Sequence, residues 1–219
     1  PATNDKPDSR FSTTAPISMR AGQIYLENAA FSTGTNLFDY AVSQTFGAVT
    51  LESGFNRIGG RSADTGSTTL TFADILKPNA GTALEFYIDS LVGSALGIDA
   101  KHRIINSALE TAGVNVPFIG GWAYSSGGTA NPEFVKYNTI DLGGFGYTPL
   151  VAGDYKVDQA ETGWVGTDNI KLSAGGATIT ANRTIQSLNM QSSTARTLAG
   201  NAGTVLEVGS GGILTSPTT

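Results

Sequence analysis

Short runs of alternating apolar and polar residues recur along the chain, with glycine-containing turns between them. The first unit has Ile17-Ser18-Met19, a turn at Ala21-Gly22, and then Ile24-Tyr25-Leu26. Comparable units follow at 49–58, 70–86, 170–180 and 205–214. Alternation turns one set of side chains inward and the other outward, and glycine accepts the positive φ that a sharp bend needs. The pattern predicts β-strands joined by tight turns.

The spacing of these units is irregular. A ladder of hairpins tolerates such drift poorly, whereas a coil tolerates it because its loops can bulge outward. Imperfect repeats of roughly 20–30 residues, none of which can bury its apolar face alone, are typical of solenoids. The sequence therefore predicts an all-β fold, a parallel β-helix (β-solenoid) with irregular loop excursions.

Residues 1–219 are predicted to form a single solenoid segment. Helical signals are confined to 91–113, where glycines weaken them, so a loop excursion with room for a short helix is expected there. The predicted parts are an extended lead-in (1–10), a first repeat block (11–90), the loop excursion (91–116), a glycine- and aromatic-rich segment (117–150), an acidic linker (151–168) and a second repeat block (169–219).

Four apolar residues of the second block are predicted to face the interior of the coil. They are Ile179, Leu188, Leu206 and Ile213. Burying each aliphatic side chain contributes roughly 1.5–3 kcal/mol before conformational entropy is subtracted. Stability should therefore accumulate over several turns of the coil.

Composition narrows the classes of partner. The net charge is -5, charged residues make up 14% of the chain, and no run of Lys or Arg could neutralise successive phosphates, so nucleic acid is not an expected partner. The chain has no cysteine, which excludes disulfides and thiolate metal sites. No apolar stretch of about 18 residues is present, so no membrane-spanning segment is predicted.

The order of these units resembles the autotransporter-associated β-strand repeat family of bacterial surface β-helix proteins. The resemblance is carried by DSRFSTTAPISMRAGQIYLEN, QTFGAVTLESGFNRIGG, STTLTFADILKPNAGTALEFYI, FIGGWAYSSGGTANPEFVKY and GTVLEVGSGGILTS, and it covers most of 8–216. It implies a right-handed parallel β-helix that is exported and displayed at the cell surface, with no assigned catalytic residues. The segment 91–113 departs from the plainer units.

Together these observations favour a non-catalytic structural or adhesive module of a secreted bacterial cell-surface protein. We expect the chain to be a segment of a longer protein, extracellular in location, with open strand edges. Its expected partners are further repeats or other copies of the same protein, assembled end to end into fibres or an envelope layer. Cell-surface or matrix polysaccharide is a further expected partner.

A carbohydrate-active β-helix, either a polysaccharide lyase or a hydrolase, is an alternative. Such an enzyme needs acidic residues gathered on one outward face. The candidate residues are spread among turns, where they are expected to bond nearby backbone: Asp64, Asp74, Asp89, Asp99, Asp154 and Asp158. The sole histidine, His102, is expected at the surface. No catalytic, metal or cofactor site is predicted, and the glycine run 143–148 lacks the carboxylate that calcium requires.

A glycan-binding module without turnover is a second alternative. Aromatic rings can stack on sugar rings, so Trp122, Tyr124 and Tyr147 are the candidate glycan contacts. The same rings could instead fill gaps between the coil and its loops, and the flanking glycines suit that packing role.

Overall fold

The protein is described from a computed structural model, which covers residues 11–28, 41–62, 66–76, 78–90, 96–127, 130–190 and 195–215. Most of the regular structure in these residues is β-strand and very little is helix, as the all-β prediction requires. In chain order, the elements are β1 (Ile17–Arg20), β2 (Gln23–Asn28), β3 (Ala41–Phe46), β4 (Val49–Ser53), β5 (Phe55–Ser62), β6 (Ser67–Phe72), β7 (Ile75–Leu76), β8 (Ala83–Ser90), β9 (His102–Asn106), α1 (Ser107–Ala112), β10 (Ala123–Gly127), β11 (Ala130–Asn138), β12 (Gly146–Pro149), β13 (Lys156–Val157), β14 (Asn169–Lys171), β15 (Ala177–Ile179), β16 (Arg183–Met190), β17 (Leu198–Gly200) and β18 (Leu206–Thr215).

Strands β1 to β9 pair with a period of three. The sheets have the orders β1-β4-β7, β2-β5-β8 (part of a larger sheet) and β3-β6-β9. Every one of these pairings is parallel. The chain therefore passes through the same three sheets in the same order in three successive triplets, β1–β3, β4–β6 and β7–β9.

Equivalent positions of successive triplets carry similar residues, and these residues lie beside one another in the sheets. Val49 lies in register between Ile17 and Ile75, and Phe46 lies beside Phe72 with ring centroids 5.1 Å apart. Alternation along each strand turns these side chains into one apolar interior, as the sequence pattern predicts. The buried members of this core are Met19, Phe46, Val49, Leu51, Ile58, Leu70, Phe72, Ile75, Leu84, Phe86, Ile88, Leu96, Ile104, Ala123, Val135, Tyr137 and Tyr147.

The predicted turns lie where the chain passes from the first sheet to the second. Ala21, Gly54 and Gly81 have φ values of 50°, 70° and 81° and stand between the first and second strands of the three triplets. Glycine adopts this left-handed region without strain, whereas alanine does so at a cost. The turn prediction is confirmed for all three units.

After the third triplet the strand direction changes. Strand β10 adds to β8 in parallel, but β11 runs antiparallel to β10, and β12 runs antiparallel to β11. The resulting six-stranded sheet has the order β12-β11-β10-β8-β5-β2. The segment 117–150 therefore contributes a meander at the end of the triplet series.

Two buried tyrosines close the apolar interior beside this meander. The Tyr147 ring stacks on Phe86 with centroids 4.4 Å apart and meets Tyr137 edge-on at 4.9 Å. The Tyr137 hydroxyl donates to Glu110 Oε1 at 2.6 Å and accepts from the backbone N–H of Asn106 at 3.1 Å. Burial is the main cause that raises the pKa of both phenols, so they remain neutral hydrogen-bonding groups.

Asn106 joins the last strand of the third triplet to this closure. Its side-chain oxygen accepts from the first backbone N–H groups of α1, and its Nδ2 donates to Asp74 Oδ1 at 3.0 Å and to the Tyr147 hydroxyl at 3.1 Å. Asn is a favoured N-cap because it satisfies helix donors that have no intrahelical partner. Gly113 ends the helix at φ 65°.

The segment 91–116 differs from its prediction as a loop excursion. Strand β9 lies within it, paired to β6 and buried at alternate residues, and α1 follows directly. Its sequence His102–Asn106 has too few apolar residues to stand out as a strand, and pairing to the preceding triplet supplies what local propensity lacks. The helix itself falls inside the range in which a short helix was expected.

A second strand set follows along the chain. Strands β13-β14-β16-β18 form one parallel sheet and β15-β17 another. Their core is separate, and its buried members are Trp164, Ile170, Leu172, Ile179, Ile185 and Leu188. Part of the predicted acidic linker 151–168 thus enters structure, because β13 pairs with β14 and Trp164 is buried.

Of the four predicted interior residues, Ile179 and Leu188 are buried and Leu206 is partly buried. The prediction for Ile213 is wrong, because its side chain is 57% exposed. Ile213 stands in register beside Leu188, but β18 is the last strand of its sheet. Among the described residues no further strand covers it. Residues 205–214 also differ from prediction in forming a single strand with a register shift in place of two strands about a turn.

The two strand sets meet at β11. Glu133 accepts from the Tyr155 hydroxyl at 2.9 Å and from Asn189 Nδ2 at 2.8 Å, and it pairs with Lys171. Nearby, Gly121 and Gly212 approach so closely that a Cβ on either would collide with the other's backbone. The lead-in 1–10 lies outside the described residues, and the division into blocks stays a prediction.

We predict that Asn106→Ala lowers the free energy of unfolding by about 2–3 kcal/mol, because it removes a helix cap and leaves buried partners unsatisfied. Chemical denaturation would measure the loss. Asn131→Ala, at an exposed position, is the matched control and should change stability by less than about 0.5 kcal/mol. Equal effects for the two variants would contradict the assigned role.

Candidate functional site

Aromatic and charged side chains are grouped on the outward face of the six-stranded sheet. Alternation turns Ile58 and Leu84 inward, and it turns their neighbours Arg57 and Glu85 outward. By the same alternation Tyr25 of β2 and Tyr124 of β10 lie on this outward face.

Five side chains on this outward face are in contact one after another, and we call them the aromatic strip: Tyr25, Tyr87, Arg57, Phe55 and Tyr124. The rings of Tyr25 and Tyr87 have centroids 6.4 Å apart, and so do those of Phe55 and Tyr124. The Arg57 guanidinium joins the two pairs, with Cζ 4.5 Å from the Tyr87 centroid and 5.9 Å from that of Phe55. The strip crosses four parallel strands.

Small residues make room for the strip. Gly59 stands in register between Tyr25 and Tyr87, so the two rings lean toward each other across a position that has no side chain. Ala83 stands beside Phe55 in the same way. The aromatic rings thus lie over the sheet surface; Phe55 is 46% exposed, and the three tyrosines are half-buried.

A buried carboxylate holds the guanidinium in place. Arg57 Nε donates to Glu85 Oε2, and Glu85 Oε1 accepts from the Ser126 hydroxyl. The Glu85 side chain is only 8% exposed, whereas that of Arg57 is 33% exposed. The positive charge on the strip is therefore matched by a negative charge beneath it, and the strip is neutral overall.

The strip also keeps Tyr124 as a phenol. Burial, followed by the negative charge of Glu85, raises the pKa of Tyr124 to about 12. At neutral pH the hydroxyl, like that of any tyrosine, can both donate and accept a hydrogen bond.

The structure separates the three residues predicted as glycan contacts. Tyr124 belongs to the aromatic strip, whereas Trp122 is partly buried and packs against the first core. Its indole N–H is buried without a hydrogen-bond partner. Tyr147 is 1% exposed between Phe86 and Tyr137, so it has no open face for a sugar, and we correct its assignment to internal packing.

Sequence reasoning missed Tyr25, Phe55, Arg57, Glu85 and Tyr87 as members of a site. The signal was present, because each is an outward position of an alternating run that follows a glycine turn or lies beside one. Nothing in one run shows which residues of another lie beside it, since that depends on strand register.

His102 differs from its expected surface position. It lies on β9, in register with Thr68 of β6, and it is only 1% exposed. Burial is the main cause that lowers its pKa, nearby Lys101 lowers it further, and Asp99 opposes both. The side chain is therefore neutral in the folded protein near pH 7, and its buried position on β9 is that of a packed residue.

The candidate aspartates whose side chains are described form hydrogen bonds with the backbone. Asp74, Asp99, Asp154 and Asp158 each accept a hydrogen bond from at least one backbone N–H. For Asp74, Asp99 and Asp154 the donor lies within three residues, which agrees with their interpretation as turn residues. Asp158 differs, because its backbone donors are Ser173 and Ala174. Asp64 and the side chain of Asp89 lie outside the described part of the chain. Within the described ranges, no three His, Cys, Asp or Glu residues gather closely enough to hold a metal ion.

An apolar hollow lies at the first triplet. Its volume is about 710 Å³, and it is lined mainly by Phe11, Ile17, Ile24, Leu26, Val42 and Phe46. Strands β1, β2 and β3 are each the outermost strand of their sheets. Apolar surface and strand edges that have no further partner among the described residues therefore coincide at one end of the triplet series.

No protein-family model, curated protein sequence or solved structure matches this chain. The resemblance to the autotransporter-associated repeat family accordingly remains a prediction made from the residues alone. In the described segments, no helix is long and apolar enough to cross a membrane.

We predict that Arg57 and Glu85 are energetically coupled. A double-mutant cycle with Arg57→Ala and Glu85→Ala should give a coupling energy of about 1 kcal/mol, since Glu85 is buried but Arg57 is partly screened by solvent. Urea unfolding of the four proteins would measure it. Strictly additive losses would show that the charge pair is not a unit.

We also predict that acidification from pH 7.5 to 5.5 destabilises the protein through His102. Because burial lowers the folded pKa below the usual value of about 6.5, the unfolded chain takes up the proton first, and stability falls as pH drops through that value. The slope is at most about 1.4 kcal/mol per pH unit. Thermal midpoints across this range would test it.

The variant His102→Gln cannot titrate and should show a flat profile over the same range, because the chain has no other histidine. The pKa values of Glu52 and Glu161 are lowered, by hydrogen bonds from Ser18 and from Arg183 respectively, so those groups act only below about pH 4.5. A wild-type profile as flat as that of the variant would contradict the prediction.

Proposed function

We propose that the chain is a non-catalytic structural or adhesive module of a bacterial cell-surface protein, wound as a right-handed parallel β-helix. The observation that carries the proposal is the parallel pairing of β1 to β9 with a period of three. A chain that visits three sheets in constant order, always in the same direction, advances by one strand spacing with each triplet. Parallel crossover connections are almost always right-handed, which supports the handedness.

The second strand set repeats the parallel pairing, with two sheets in place of three. Its two sheets are again parallel, and its core stacks Ile170 against Leu188 in register. Repetition of this kind suits a static, extended surface, since each unit satisfies the backbone of the next and buries its apolar side. A secreted, extracellular location rests on the resemblance and is part of the proposal.

Assembly end to end is the form of self-association that the strand edges favour. At one end, β1, β2 and β3 are outermost and border the apolar hollow. At the other end, β18 is outermost, and the exposed side chains of Val205 and Ile213 lie at or beside it. Parallel edges that no other described strand covers, with apolar flanks, can pair with a second copy or with further repeats of the same protein.

We predict that the sedimentation coefficient of the protein increases with concentration, and that electron microscopy shows rods or filaments. Ile213→Lys should reduce this association, because it places a charge on the terminal strand where a second copy would pack. Val151→Lys is the matched control: Val151 is 55% exposed, similar to Ile213, but lies outside the strands, so the variant should associate like wild type. A monomer at all concentrations would contradict end-to-end assembly.

A further inference from the structure

We propose that the aromatic strip binds an uncharged glycan, specifically a β-linked chain of pyranose units that presents flat C–H faces. The inference gives the adhesive role a ligand class, and in that respect it rests on the proposed function. The observations that carry it are the row of rings across four parallel strands and the charge pair that holds its centre.

The rings of the strip are arranged side by side. The planes of Tyr25 and Tyr87 differ by 37°, and those of Phe55 and Tyr124 differ by 28°, at a centroid distance of 6.4 Å in each pair. Full face contact between carbon atoms requires only about 3.5–4.0 Å, so these rings overlap little. The apolar surface that the strip offers to a ligand is the exposed part of these rings, which is largest at Phe55 and smaller at the three half-buried tyrosines.

The position of the strip on the sheet face favours a flat ligand over a peptide strand. Strands β5 and β8 are internal to the sheet, and their backbone groups are already bonded to neighbouring strands. A peptide that binds by strand addition needs an open edge and cannot use this surface. A pyranose ring can, because its C–H face contacts an aromatic ring while its hydroxyls point outward to polar groups.

Charge excludes an acidic glycan as the preferred ligand. The Arg57 side chain is the cation at the centre of the strip, and it is paired with Glu85. A uronate or sulfate would have to displace that carboxylate or accept its repulsion. The guanidinium has five N–H donors and bonds Glu85 through Nε, which leaves a fork of donors suited to neutral sugar hydroxyls.

The length of the strip implies that several sugar units are bound. Adjacent strands lie about 4.7–4.9 Å apart, a spacing similar to the length of one pyranose unit along a β-linked chain. Tyr25 and Tyr87 are level with Gly59 of β5, whereas Phe55 stands four residues before Gly59, so the two ring pairs are offset along the strands. We infer that the glycan crosses the strands obliquely, from one ring pair to the other. Phe55 and Tyr124 would contact one part of the chain, and Tyr25 and Tyr87 another.

Isothermal titration of the full chain with cellohexaose and chitohexaose tests the inference, with dextran as a flexible neutral polymer and alginate as an acidic one. We expect binding to at least one of the two β-linked oligosaccharides and to neither polymer. Tyr87→Ala and Phe55→Ala should each weaken binding roughly tenfold, which corresponds to the upper range for one aromatic contact. Tyr87→Phe keeps the ring and should bind like wild type.

Phe11→Ala is the matched control, since Phe11 is 60% exposed but lies outside the strip. Circular dichroism of every variant separates lost binding from lost folding. The inference is overturned if neither oligosaccharide binds, if alginate binds in preference, or if Phe11→Ala weakens binding as much as Tyr87→Ala. Filament formation is measured independently, so absent glycan binding with intact filaments rejects the ligand class alone, whereas glycan binding by a strict monomer rejects only the assembly.

Discussion

Strands β1 to β9 find their hydrogen-bond partners in strands three positions away along the chain, and every other feature of this part of the protein depends on that pairing. The parallel ladder satisfies backbone groups that would otherwise be buried unpaired. It also places like positions above one another, so Phe46 meets Phe72 and Val49 meets Ile75. The interior and the outward face both inherit their rows of side chains from this register.

The register has a different consequence on each side of the sheet. Inside, it brings apolar side chains together and excludes water. Outside, it brings together side chains of different strands, and the aromatic strip is built in this way from β2, β5, β8 and β10. The aromatic strip and the core therefore both follow from one backbone arrangement, and a change of register by one residue would exchange the inward and outward side chains.

Local features of the fold could be predicted from the sequence. The turns at Gly54 and Gly81 depend on the tolerance of glycine for positive φ, and the burial of Ile179 and Leu188 follows from alternation. Features that depend on neighbouring strands could not. His102 is buried because β9 pairs with β6, and Ile213 is exposed because β18 has no further partner among the described residues.

The contact between Gly121 and Gly212 limits which residues can stand where the two strand sets meet. With no side chain on either residue, the main chains come closer than any other amino acid would permit, and Phe134 closes over Gly212. An added methyl group here would wedge the sets apart and disturb the nearby bonds of Glu133. Insertions in outward loops do not alter this contact. The loops can therefore vary in length and sequence while the contact between the two strand sets is retained.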